Sequence, residues 1–411
     1  MSKRSILFIH QNFPGQFKHV SQALAEQGHL VAALAITGAQ VPGVKMFQYK
    51  PKRGNTPKIH PWVMDMETKV IRGEACMHAM KALKEKGLKP DLIVSHPGWG
   101  ESMFCKDVFP DTPLLNFIEF YYNAYGADSN FDPEFQNPDL GASAKVRAKN
   151  ANNLLALDNM DWGLSPTEWQ KSTVPDLYKP RIKVIFDGVD TDWIKPDDGA
   201  VYENAALGLK LDKSCEVVTF INRNMEPYRG YHQFMRALPK LMRERPKAQV
   251  VIVGGDEVSY GAAPPDGQTW KQIFLDEVKD AIDHTRLHYV GRVSHTDLLR
   301  LYQISSCHVY LTYPFVLSWS CVEAMAAGCA MVASDTQPVR EFIQHGYNGH
   351  LVDFFDPDAL ASQVAGVLAN PKAQLGLRAN ARKTVVDQYD LKKQCLPAQM
   401  RFLDRISATK H

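Results

Sequence analysis

Two arginines, Arg223 and Arg229, lie in the segment FINRNMEPYRGYHQF and have the type and spacing of a phosphate site. An apolar run typical of a strand precedes them, and Gly230 opens an amphipathic run typical of a helix. Guanidinium groups beside a helix N-terminus can hold a doubly charged phosphate group. Solvated surface arginines are the alternative interpretation, but the position at a predicted strand end favours the phosphate site.

A carboxylate follows in the segment YPFVLSWSCVEAMAAG, where Glu323 lies in the predicted first turn of a helix. A carboxylate in this position can accept hydrogen bonds from both hydroxyls of a ribose. Its alternative role is to stabilise its own helix through the helix dipole. Because Glu323 comes about 100 residues after the arginine pair, three βα units later, we expect it on the same sheet.

Apolar runs alternate with amphipathic stretches in both halves of the chain, which predicts α/β architecture with largely parallel sheets. In the first half, strands are predicted at 5–10, 30–36, 91–95, 114–120 and 183–186, and a helix at 16–27. In the second half, strands are predicted at 216–221, 249–253, 287–290, 307–311 and 330–333, and helices at 230–244 and 321–327. Ligands of open α/β sheets bind at the carboxyl ends of strands, so the strand-end loops are the expected sites.

The segment 187–199 is rich in Asp, Gly and Pro and is the expected domain boundary. We therefore predict one doubly wound domain at residues 1–190 and a second at 191–390. Residues 391–411 are expected to form a C-terminal helix that returns to the first domain.

The composition fits a globular protein and excludes several classes. The 411 residues are 45 % hydrophobic and 22 % charged, which excludes disorder and collagen-like repeats. A net charge of +2, from 47 basic and 45 acidic residues, indicates no nucleic-acid partner.

Seven scattered cysteines without C-x-x-C spacing indicate reduced thiols and a cytoplasmic location. The first ten residues are typical of a strand rather than a signal peptide, and no apolar stretch approaches the roughly 18 residues of a membrane span.

Several ordered motifs resemble the family-four retaining glycosyltransferases. In the second half these are NRNMEPYRG, VGGDE, YVGRV and VEAMAAG, followed by VASDTQPVREFI and HGYNGHLV. In the first half, HQNFPGQF, SHPGWGES, SPTEWQ and DGVDTDW resemble the amino-terminal domain of one branch of that family. The resemblance covers nearly the whole chain. It implies the GT-B fold, in which two Rossmann-like doubly wound domains face each other across a cleft, the first on the acceptor side and the second binding the nucleotide sugar.

The resemblance assigns donor-binding roles residue by residue. Arg223 and Arg229 match the positions that hold the donor diphosphate, and Arg229 stands where many members have Lys. Glu323 matches the second acid of the E-x7-E motif, which binds the nucleotide ribose. The other positions that match donor contacts are Gly15, Gly255, Arg292, Val293 and Ser318.

Three residues of the first half complete the predicted site. His96 ends a predicted strand and resembles the histidine that touches the donor sugar, so it is assigned to catalysis together with Arg223 and Arg229. A packed or surface histidine is the alternative. Glu119 ends the next strand and is followed by Tyr121 and Tyr122. Glu119 and Tyr122 are assigned to the acceptor side, since an acid beside aromatic rings suits a sugar; an ordinary core edge is the alternative.

One position departs from the family pattern. Phe315 stands eight residues before Glu323, where the family has its first glutamate. That position normally faces the transferred sugar, so Phe315 is included among the donor-binding residues while the identity of the sugar stays open.

The resemblance implies a glycosyltransferase that moves a hexosyl-type sugar from a nucleoside diphosphate sugar to an acceptor hydroxyl with retention of configuration. It implies no cofactor and no metal. Asp190-Thr191-Asp192 resembles a metal-binding D-x-D motif, but this run falls in the presumed linker. Polysaccharide or glycoconjugate biosynthesis is the expected role. The alternatives are a nucleotide-sugar epimerase of the same fold and a non-catalytic nucleotide-sugar-binding protein. A nicotinamide dehydrogenase is disfavoured, because no predicted strand is followed by G-x-G-x-x-G.

The segment Lys45–Lys89 carries 11 Lys and Arg residues and four Asp and Glu residues. A solvated face is the first interpretation of such a run. The alternative is peripheral contact with the inner face of an anionic membrane, where a lipid-linked acceptor would lie.

Overall fold

The structure is a computed structural model that describes residues 3–137 and 139–408. The chain folds into two units. The first unit comprises the described residues up to Gly188 together with those from Lys392 onward, and the second comprises Val189–Leu391.

The strands are named in chain order. In the first unit they are β1 (Ser5–Ile9), β2 (Asn12–Phe13), β3 (Leu30–Ala35), β4 (Thr37–Gly38), β5 (Val44–Gln48), β6 (Leu92–Ser95), β7 (Leu114–Phe117), β8 (Trp162–Ser165) and β9 (Ile182–Val184). In the second unit they are β10 (Val201–Asn204), β11 (Leu209–Asp212), β12 (Val217–Asn224), β13 (Gln249–Gly255), β14 (Leu287–Gly291), β15 (Cys307–Tyr310), β16 (Met331–Ser334) and β17 (His350–Val352).

The helices are named in the same way. They are α1 (Lys18–Glu26), α2 (Met64–Glu85), α3 (Cys105–Val108), α4 (Leu140–Lys149), α5 (Ala151–Asn159), α6 (Glu168–Ser172), α7 (Tyr231–Glu244), α8 (Trp270–Val278), α9 (His295–Ile304), α10 (Trp319–Ala326), α11 (Gln337–Arg340), α12 (Pro357–Ala369), α13 (Leu375–Gln388) and α14 (Leu396–Ala408). Short 3-10 turns precede some of them, including Gly15–Phe17 before α1 and Pro227–Arg229 before α7.

The first unit is built on a seven-stranded sheet in the order β5-β3-β1-β6-β7-β8-β9. All of its pairings are parallel. Because β1 lies between β3 and β6, the strand order reverses at β1. The crevice outside the carboxyl ends of β1 and β6 is therefore the topological switch point of this sheet.

The second unit repeats the design with a six-stranded parallel sheet in the order β14-β13-β12-β15-β16-β17. Its strand order reverses at β12, between β13 and β15. The switch point is at the carboxyl ends of β12 and β15. The two Rossmann-like α/β units predicted from the sequence are confirmed.

Successive apolar side chains of the central strands point to opposite faces of the first sheet, so both faces are apolar, as expected for a parallel sheet covered by helices. Ile6 and Phe8 pack on one face in a cluster with Leu24 of α1. Leu7 and Ile9 pack on the other face in a cluster that includes α2. All of these apolar side chains are buried, so burial on both faces stabilises β1.

Several predicted elements have different bounds in the structure; the strand predicted at 114–120 ends at Phe117, so Glu119 lies in the loop after it, and two further differences affect the second unit. The strand predicted at 216–221 extends to Asn224, which pairs with Gly255 after a register shift, so Arg223 lies within the strand rather than past it. The helix predicted at 321–327 begins at Trp319, because the Ser318 hydroxyl accepts a hydrogen bond from the Ser320 N–H at 3.3 Å. Glu323 therefore lies beyond the first turn.

The terminal helix α14 packs in the core of the first unit. Phe402 is 4 % exposed and meets the ring of Trp162 edge-on at 6.3 Å between centroids. Arg4 pairs with Asp404, and the Gln399 side chain donates to the Phe186 carbonyl at 3.2 Å. Apolar packing on β8 and polar contacts with Arg4 and Phe186 together fix this helix in the first unit.

Within the described ranges, the structure contains no helix that combines the length and the apolar character needed to cross a bilayer.

Replacing Phe402 with Ala should lower the free energy of unfolding of the first unit by about 3–5 kcal/mol, since a buried ring is lost and a cavity is left. Urea unfolding of the full chain measures this change. The control is Leu375→Ala on α13, where the side chain is 64 % exposed and the expected change is within about 0.5 kcal/mol. Equal effects of the two substitutions would show that α14 is not part of the core.

Candidate functional site

A cavity of about 800 Å³ opens at the switch point of the second unit. Its walls come from the end of β12, the loops after β13 and β14, and the start of α10. Five residues predicted from the sequence line it: Arg223, Arg292, Val293, Ser318 and Glu323. The volume lies in the range of about 300–1,000 Å³ that small-molecule sites occupy.

The two arginines of the predicted phosphate site have different surroundings. Arg223 is exposed at the cavity wall, and no described side chain forms an ion pair with it. Arg229 is 6 % exposed, and its Nη1 donates to the Thr312 hydroxyl at 2.8 Å and to the Val316 carbonyl at 3.0 Å. Arg223 is thus free to meet an anion, whereas Arg229 holds the loop that follows β15.

The close approach of these loops requires a glycine after Arg229. Gly230 has φ +68°, and a Cβ there would lie 2.4 Å from the Cβ of Leu311. Any side chain would strain the backbone and collide with the strand end. The glycine therefore allows α7 to begin directly beside β15.

Phe315 lies in an aromatic cluster and is not part of the cavity lining. It is 6 % exposed and contacts Tyr260 and Tyr228, with centroids 5.0 and 5.6 Å apart. The guanidinium of Arg229 lies 5.9 Å from its ring. The assignment of Phe315 to the transferred sugar stays a prediction, while its contacts support Arg229.

The Ser318 side chain caps α10, and the residue lines the cavity. Its backbone N–H donates to the Tyr310 hydroxyl at 2.8 Å. The Tyr310 ring is buried, so this bond ties the start of the helix to β15.

Glu323 has a histidine partner that the sequence analysis missed. Its Oε1 lies 3.5 Å from Nε2 of His295, and 13 % of the Glu323 side chain is exposed. The His295 ring lies against Trp193 at 4.5 Å between centroids. Tyr302 is buried near Glu323. The pKa of its hydroxyl is raised well above the usual range, first by burial and second by the charge of Glu323. His295 carries no motif of its own, and only its place at the start of α9 could have indicated it.

Gly255 ends β13 where the Arg292 guanidinium crosses it. A Cβ at Gly255 would lie 2.7 Å from Oδ1 of Asn224 and 3.0 Å from Nη2 of Arg292. Arg292 donates to Asn224 at 3.2 Å and pairs with Glu257. The absence of a side chain at Gly255 thus leaves room for the Arg292 guanidinium at the rim of the cavity.

Glu226 is a second acid that the sequence analysis missed. It is fully buried, and its Oε2 accepts the N–H groups of Ser259 and Tyr260 at 3.0 and 2.9 Å. Burial raises the pKa of Glu226, while the two backbone donors and the nearby arginines oppose that shift. Its position in the same segment as Arg223 was the available signal. The residue fixes the 257–260 loop that lines the cavity.

The switch point of the first unit brings together two of its predicted residues. His96 follows β6 and is 2 % exposed, and its Nε2 lies 3.5 Å from Oε2 of Glu119, which follows β7. The His96 ring stacks on Trp99 at 4.4 Å between centroids. His10 follows β1 and meets the His96 ring edge-on at 5.3 Å.

Gly15 lies directly over the His10 ring. It has φ +47°, and a Cβ there would lie 2.3 Å from Nε2 of His10. Burial, followed by the nearby His96, lowers the pKa of His10 to about 4, so the ring is neutral at physiological pH. The glycine turn is set by this ring, and its contact with the donor phosphates stays a prediction.

Tyr122 is held by its backbone. Its N–H donates to the Asn150 side chain at 3.1 Å, and its carbonyl accepts from the same amide at 2.6 Å. The ammonium of Lys149 lies over its ring at 3.6 Å from the centroid. These contacts fix the loop after Glu119, and the acceptor role of Tyr122 stays a prediction.

Two family models match the chain in succession. Residues 27–194 match the glycosyl transferase family 4 group, and residues 208–384 match the glycosyl transferases group 1. The chain belongs to the group 1 glycosyltransferases. The family resemblance seen in the sequence motifs is therefore confirmed.

Curated relatives of this glycosyltransferase family member cover part of it. A phosphatidyl-myo-inositol mannosyltransferase from Mycolicibacterium smegmatis is 30 % identical over 201 residues, 47 % of this chain and 46 % of that protein. A D-inositol 3-phosphate glycosyltransferase from Mycolicibacterium gilvum is 29 % identical over 223 residues, 54 % of this chain and 47 % of that protein. The chain spans about half the length of the curated relatives it matches.

Solved glycosyltransferase structures share the fold. Sucrose-phosphate synthase from Thermosynechococcus elongatus superposes with a TM-score of 0.73 at 17 % identity, over 99 % of this chain and all of that one. Anabaena HepE in complex with UDP-glucose gives a TM-score of 0.66 at 14 % identity, with coverage of 99 % and 100 %. At this identity the likeness concerns the fold, and the GT-B fold expected from the motifs is confirmed.

Replacing Glu323 with Gln should weaken binding of a nucleoside diphosphate about 5- to 150-fold, because one charged acceptor becomes an amide, a loss on the order of 1–3 kcal/mol. Calorimetric titration with UDP and with GDP measures it. The control is Glu203→Gln, an exposed carboxylate on β10 that pairs with Lys210. Unchanged affinity in the Glu323 variant would remove this residue from the ribose site.

Proposed function

We propose that the protein transfers a hexosyl-type sugar from a nucleoside diphosphate sugar to a hydroxyl group of an acceptor. One observation carries the proposal. The lining of the cavity in the second unit includes an exposed guanidinium, Arg223, with no ion-pair partner among the described residues, and a partly buried carboxylate, Glu323. Opposite charges separated within one site of this volume suit a ligand with a diphosphate at one end and a ribose at the other.

In this proposal each side chain has a defined task. Arg223 compensates the negative charge that develops on the departing diphosphate, which is the main electrostatic requirement of the reaction. Arg229 acts through the loop after β15, because its Nη1 donates to Thr312 and Val316 of that loop. Glu323 holds the ribose. Holding the donor in line with the acceptor hydroxyl lowers the entropic part of the barrier.

We extend the proposal to the stereochemistry, the metal requirement and the biological role. The family resemblance supports retention of configuration and a reaction without a cofactor or metal ion. The names of the curated relatives support an inositol-type or other polyol acceptor and a role in polysaccharide or glycoconjugate biosynthesis.

The donor is identified first. In a thermal-shift panel of UDP, GDP, TDP and ADP with their sugars, the true donor should stabilise the protein by about 2.7 kcal/mol at 100 times its Kd. If no member of the panel stabilises the protein, the proposal is contradicted.

Transfer is then measured with the donor found by thermal shift, using myo-inositol, glucose and mannose as acceptors in the presence of EDTA. NMR of the product reports the anomeric configuration. Loss of activity in EDTA that Mg²⁺ or Mn²⁺ restores would refute the metal-free reaction, and epimerised donor formed without acceptor would identify an epimerase.

Arg223→Ala should lower kcat/KM for transfer about 10- to 150-fold with no change in the free energy of unfolding, because a charge-assisted bond worth about 1.5–3 kcal/mol is lost from an exposed side chain. Arg229→Ala should lower both kcat/KM and the free energy of unfolding, because its buried hydrogen bonds are also lost. Steady-state kinetics and urea unfolding provide the two measurements. The control is Arg340→Ala, an exposed arginine paired with Asp335. Wild-type turnover in the Arg223 variant would refute its assignment.

A peripheral membrane contact through the segment Lys45–Lys89 is the second part of the proposal. Lys45, Lys50, Lys52 and Lys58 are exposed, and the apolar side chains of residues 62–64 are exposed at the start of α2. Basic side chains beside exposed apolar ones suit the surface of an anionic bilayer. Other basic residues of the segment are engaged internally, since Lys69 pairs with Asp65 at 2.8 Å.

The double variant Lys50→Glu/Lys52→Glu should weaken binding to phosphatidylserine-containing vesicles at least about 30-fold, at about 1 kcal/mol for each basic residue removed. Vesicle co-sedimentation at physiological salt measures it, with phosphatidylcholine vesicles as the uncharged reference. Lys247→Glu/Lys372→Glu makes the same charge change on exposed residues of the second unit and should have no such effect. Equal vesicle binding by the two double variants would contradict the contact.

A further inference from the structure

A second cavity, of about 360 Å³, adjoins the main cavity of the second unit. Its walls come from the ends of β13 and β14 and from the start of α8, and it shares Gly254, Glu257 and Arg292 with the main cavity. Its volume lies at the lower end of the range of about 300–1,000 Å³ that small-molecule sites occupy. The second cavity therefore suits one flat ring system at the end of a longer ligand that occupies both cavities.

The charged side chains of the second cavity are paired with one another. Arg292 forms an ion pair with Glu257, and Nζ of Lys271 lies 3.5 Å from Oδ2 of Asp256. Two cationic and two acidic side chains thus compensate each other, in contrast to the exposed guanidinium of Arg223 in the main cavity. Acidic groups repel a phosphate, so this lining suits an uncharged polar group.

The ribose end of the proposed donor lies toward this second cavity. Glu323, the proposed ribose ligand, lies 3.5 Å from His295, which is the first residue of the helix after β14. Arg292 lies in the same loop, at the boundary of the two cavities. In a nucleoside diphosphate the ribose joins the diphosphate to the base. A donor whose ribose meets Glu323 and whose diphosphate meets Arg223 would therefore direct its base to the loop after β14.

The Arg292–Glu257 pair has hydrogen-bonding groups left for a ligand. Nη2 of Arg292 donates to Oδ1 of Asn224 at 3.2 Å and to Oε2 of Glu257. Among the described residues, Nη1 of Arg292 and Oε1 of Glu257 have no hydrogen-bond partner. The two side chains are 59 % and 71 % exposed. The pair thus offers N–H donors and a carboxylate acceptor side by side.

Buried groups hold this pair from behind. Asn224 is 2 % exposed, and its amide also donates to the Ser259 hydroxyl at 2.7 Å. Glu226 accepts two backbone N–H groups of the same loop. The loop that carries Glu257 and the side chain of Arg292 are thus both attached to the end of β12. An arrangement that is fixed before binding loses less conformational freedom when a ligand binds.

Guanine is the base that matches a guanidinium beside a carboxylate. Its O6 and N7 atoms accept hydrogen bonds from an arginine, and its adjacent N1–H and N2–H groups donate to a carboxylate. Adenine carries an amino group in place of O6 and so turns a donor toward the guanidinium. Uracil and thymine have a single ring N–H donor and no exocyclic amino group.

We propose that the second cavity binds a guanine base, and that Glu257 and Arg292 select a guanosine diphosphate sugar as the donor. The proposal rests on the proposed glycosyl transfer and deepens it by naming the nucleotide. Arg292 binds the base through its side chain, and Glu257 distinguishes guanine from the other bases. Arg223 and Glu323 meet the diphosphate and the ribose, which all candidate donors share, so the base preference comes from the second cavity.

Calorimetric titration of the full chain with nucleoside diphosphates tests the base preference without turnover. We expect GDP to bind at least about tenfold more tightly than UDP, TDP and ADP, since a matched pair of hydrogen bonds to a base is worth about 5- to 150-fold in affinity. Inosine diphosphate lacks only the N2 amino group of GDP, and 7-deaza-GDP lacks only the N7 acceptor. Each should bind at least about fivefold more weakly than GDP.

Glu257→Gln and Arg292→Lys separate the two contacts. Glu257→Gln should bring the affinities for GDP and inosine diphosphate within about twofold of each other and leave the affinity for UDP within about twofold of wild type. Arg292→Lys keeps the charge and loses the planar fork, so it should remove the difference between GDP and 7-deaza-GDP. Because both side chains are exposed, urea unfolding of the two variants should match that of the wild type.

The control is Asp335→Asn, which breaks another exposed ion pair of the second unit, with Arg340, and should keep every wild-type preference. If the wild type binds no nucleoside diphosphate, the proposed glycosyl transfer fails. If it binds UDP, TDP or ADP as tightly as GDP, only the selection of guanine is refuted. If GDP is preferred but the Glu257 and Arg292 variants still distinguish it from its two analogues, the second cavity is not the base site.

Discussion

The hydrogen bonding of a parallel sheet places the carboxyl ends of its strands at one edge, and this constraint positions the candidate groups of both units. β1 and β12 each lie in the middle of a sheet with later strands on both sides. The loops that leave such neighbouring strands run in opposite directions, and a crevice remains between them. His10 and His96 flank the crevice of the first sheet, and Arg223 and Ser318 lie at that of the second.

At each switch point a charged group reaches solvent while another polar group behind it is buried. In the second unit Arg223 is exposed, and Arg229 is held by Thr312 and Val316. In the first unit Glu119 is partly exposed, and His96 lies behind it. The buried groups have partners in nearby loops, since Arg229 donates to Thr312 and Val316 and Nδ1 of His96 accepts the Gly98 N–H. A site that works by holding its reactants in the right geometry needs rigid surroundings, and the buried groups behind Arg223 and Glu119 provide them.

The sequence predicted the strands, the parallel sheets and the strand ends that carry chemistry, because apolar periodicity and turn residues are local signals. It could not predict which side chains are buried there. Arg229 finds its acceptor in Thr312, which is 83 residues away, and no local pattern records that pairing. The N–H of Ser318 is taken by the Tyr310 hydroxyl only eight residues earlier, and that bond also follows from the fold rather than from a motif. Glu226 and His295 were missed because their roles come from contacts with other loops rather than from a motif.

Phe315, at the position where the resemblance predicts a glutamate, helps to hold a buried cation. A carboxylate at this position would lie within reach of the Arg229 guanidinium and would form an ion pair with it. Phe315 and Tyr260 instead offer aromatic rings to Arg229, at 5.9 and 5.2 Å from their centroids, and Thr312 and Val316 offer uncharged acceptors. These partners compensate the lost hydration through hydrogen bonds and the ring quadrupoles without cancelling the charge. Arg229 therefore keeps its charge, and no carboxylate at position 315 cancels it.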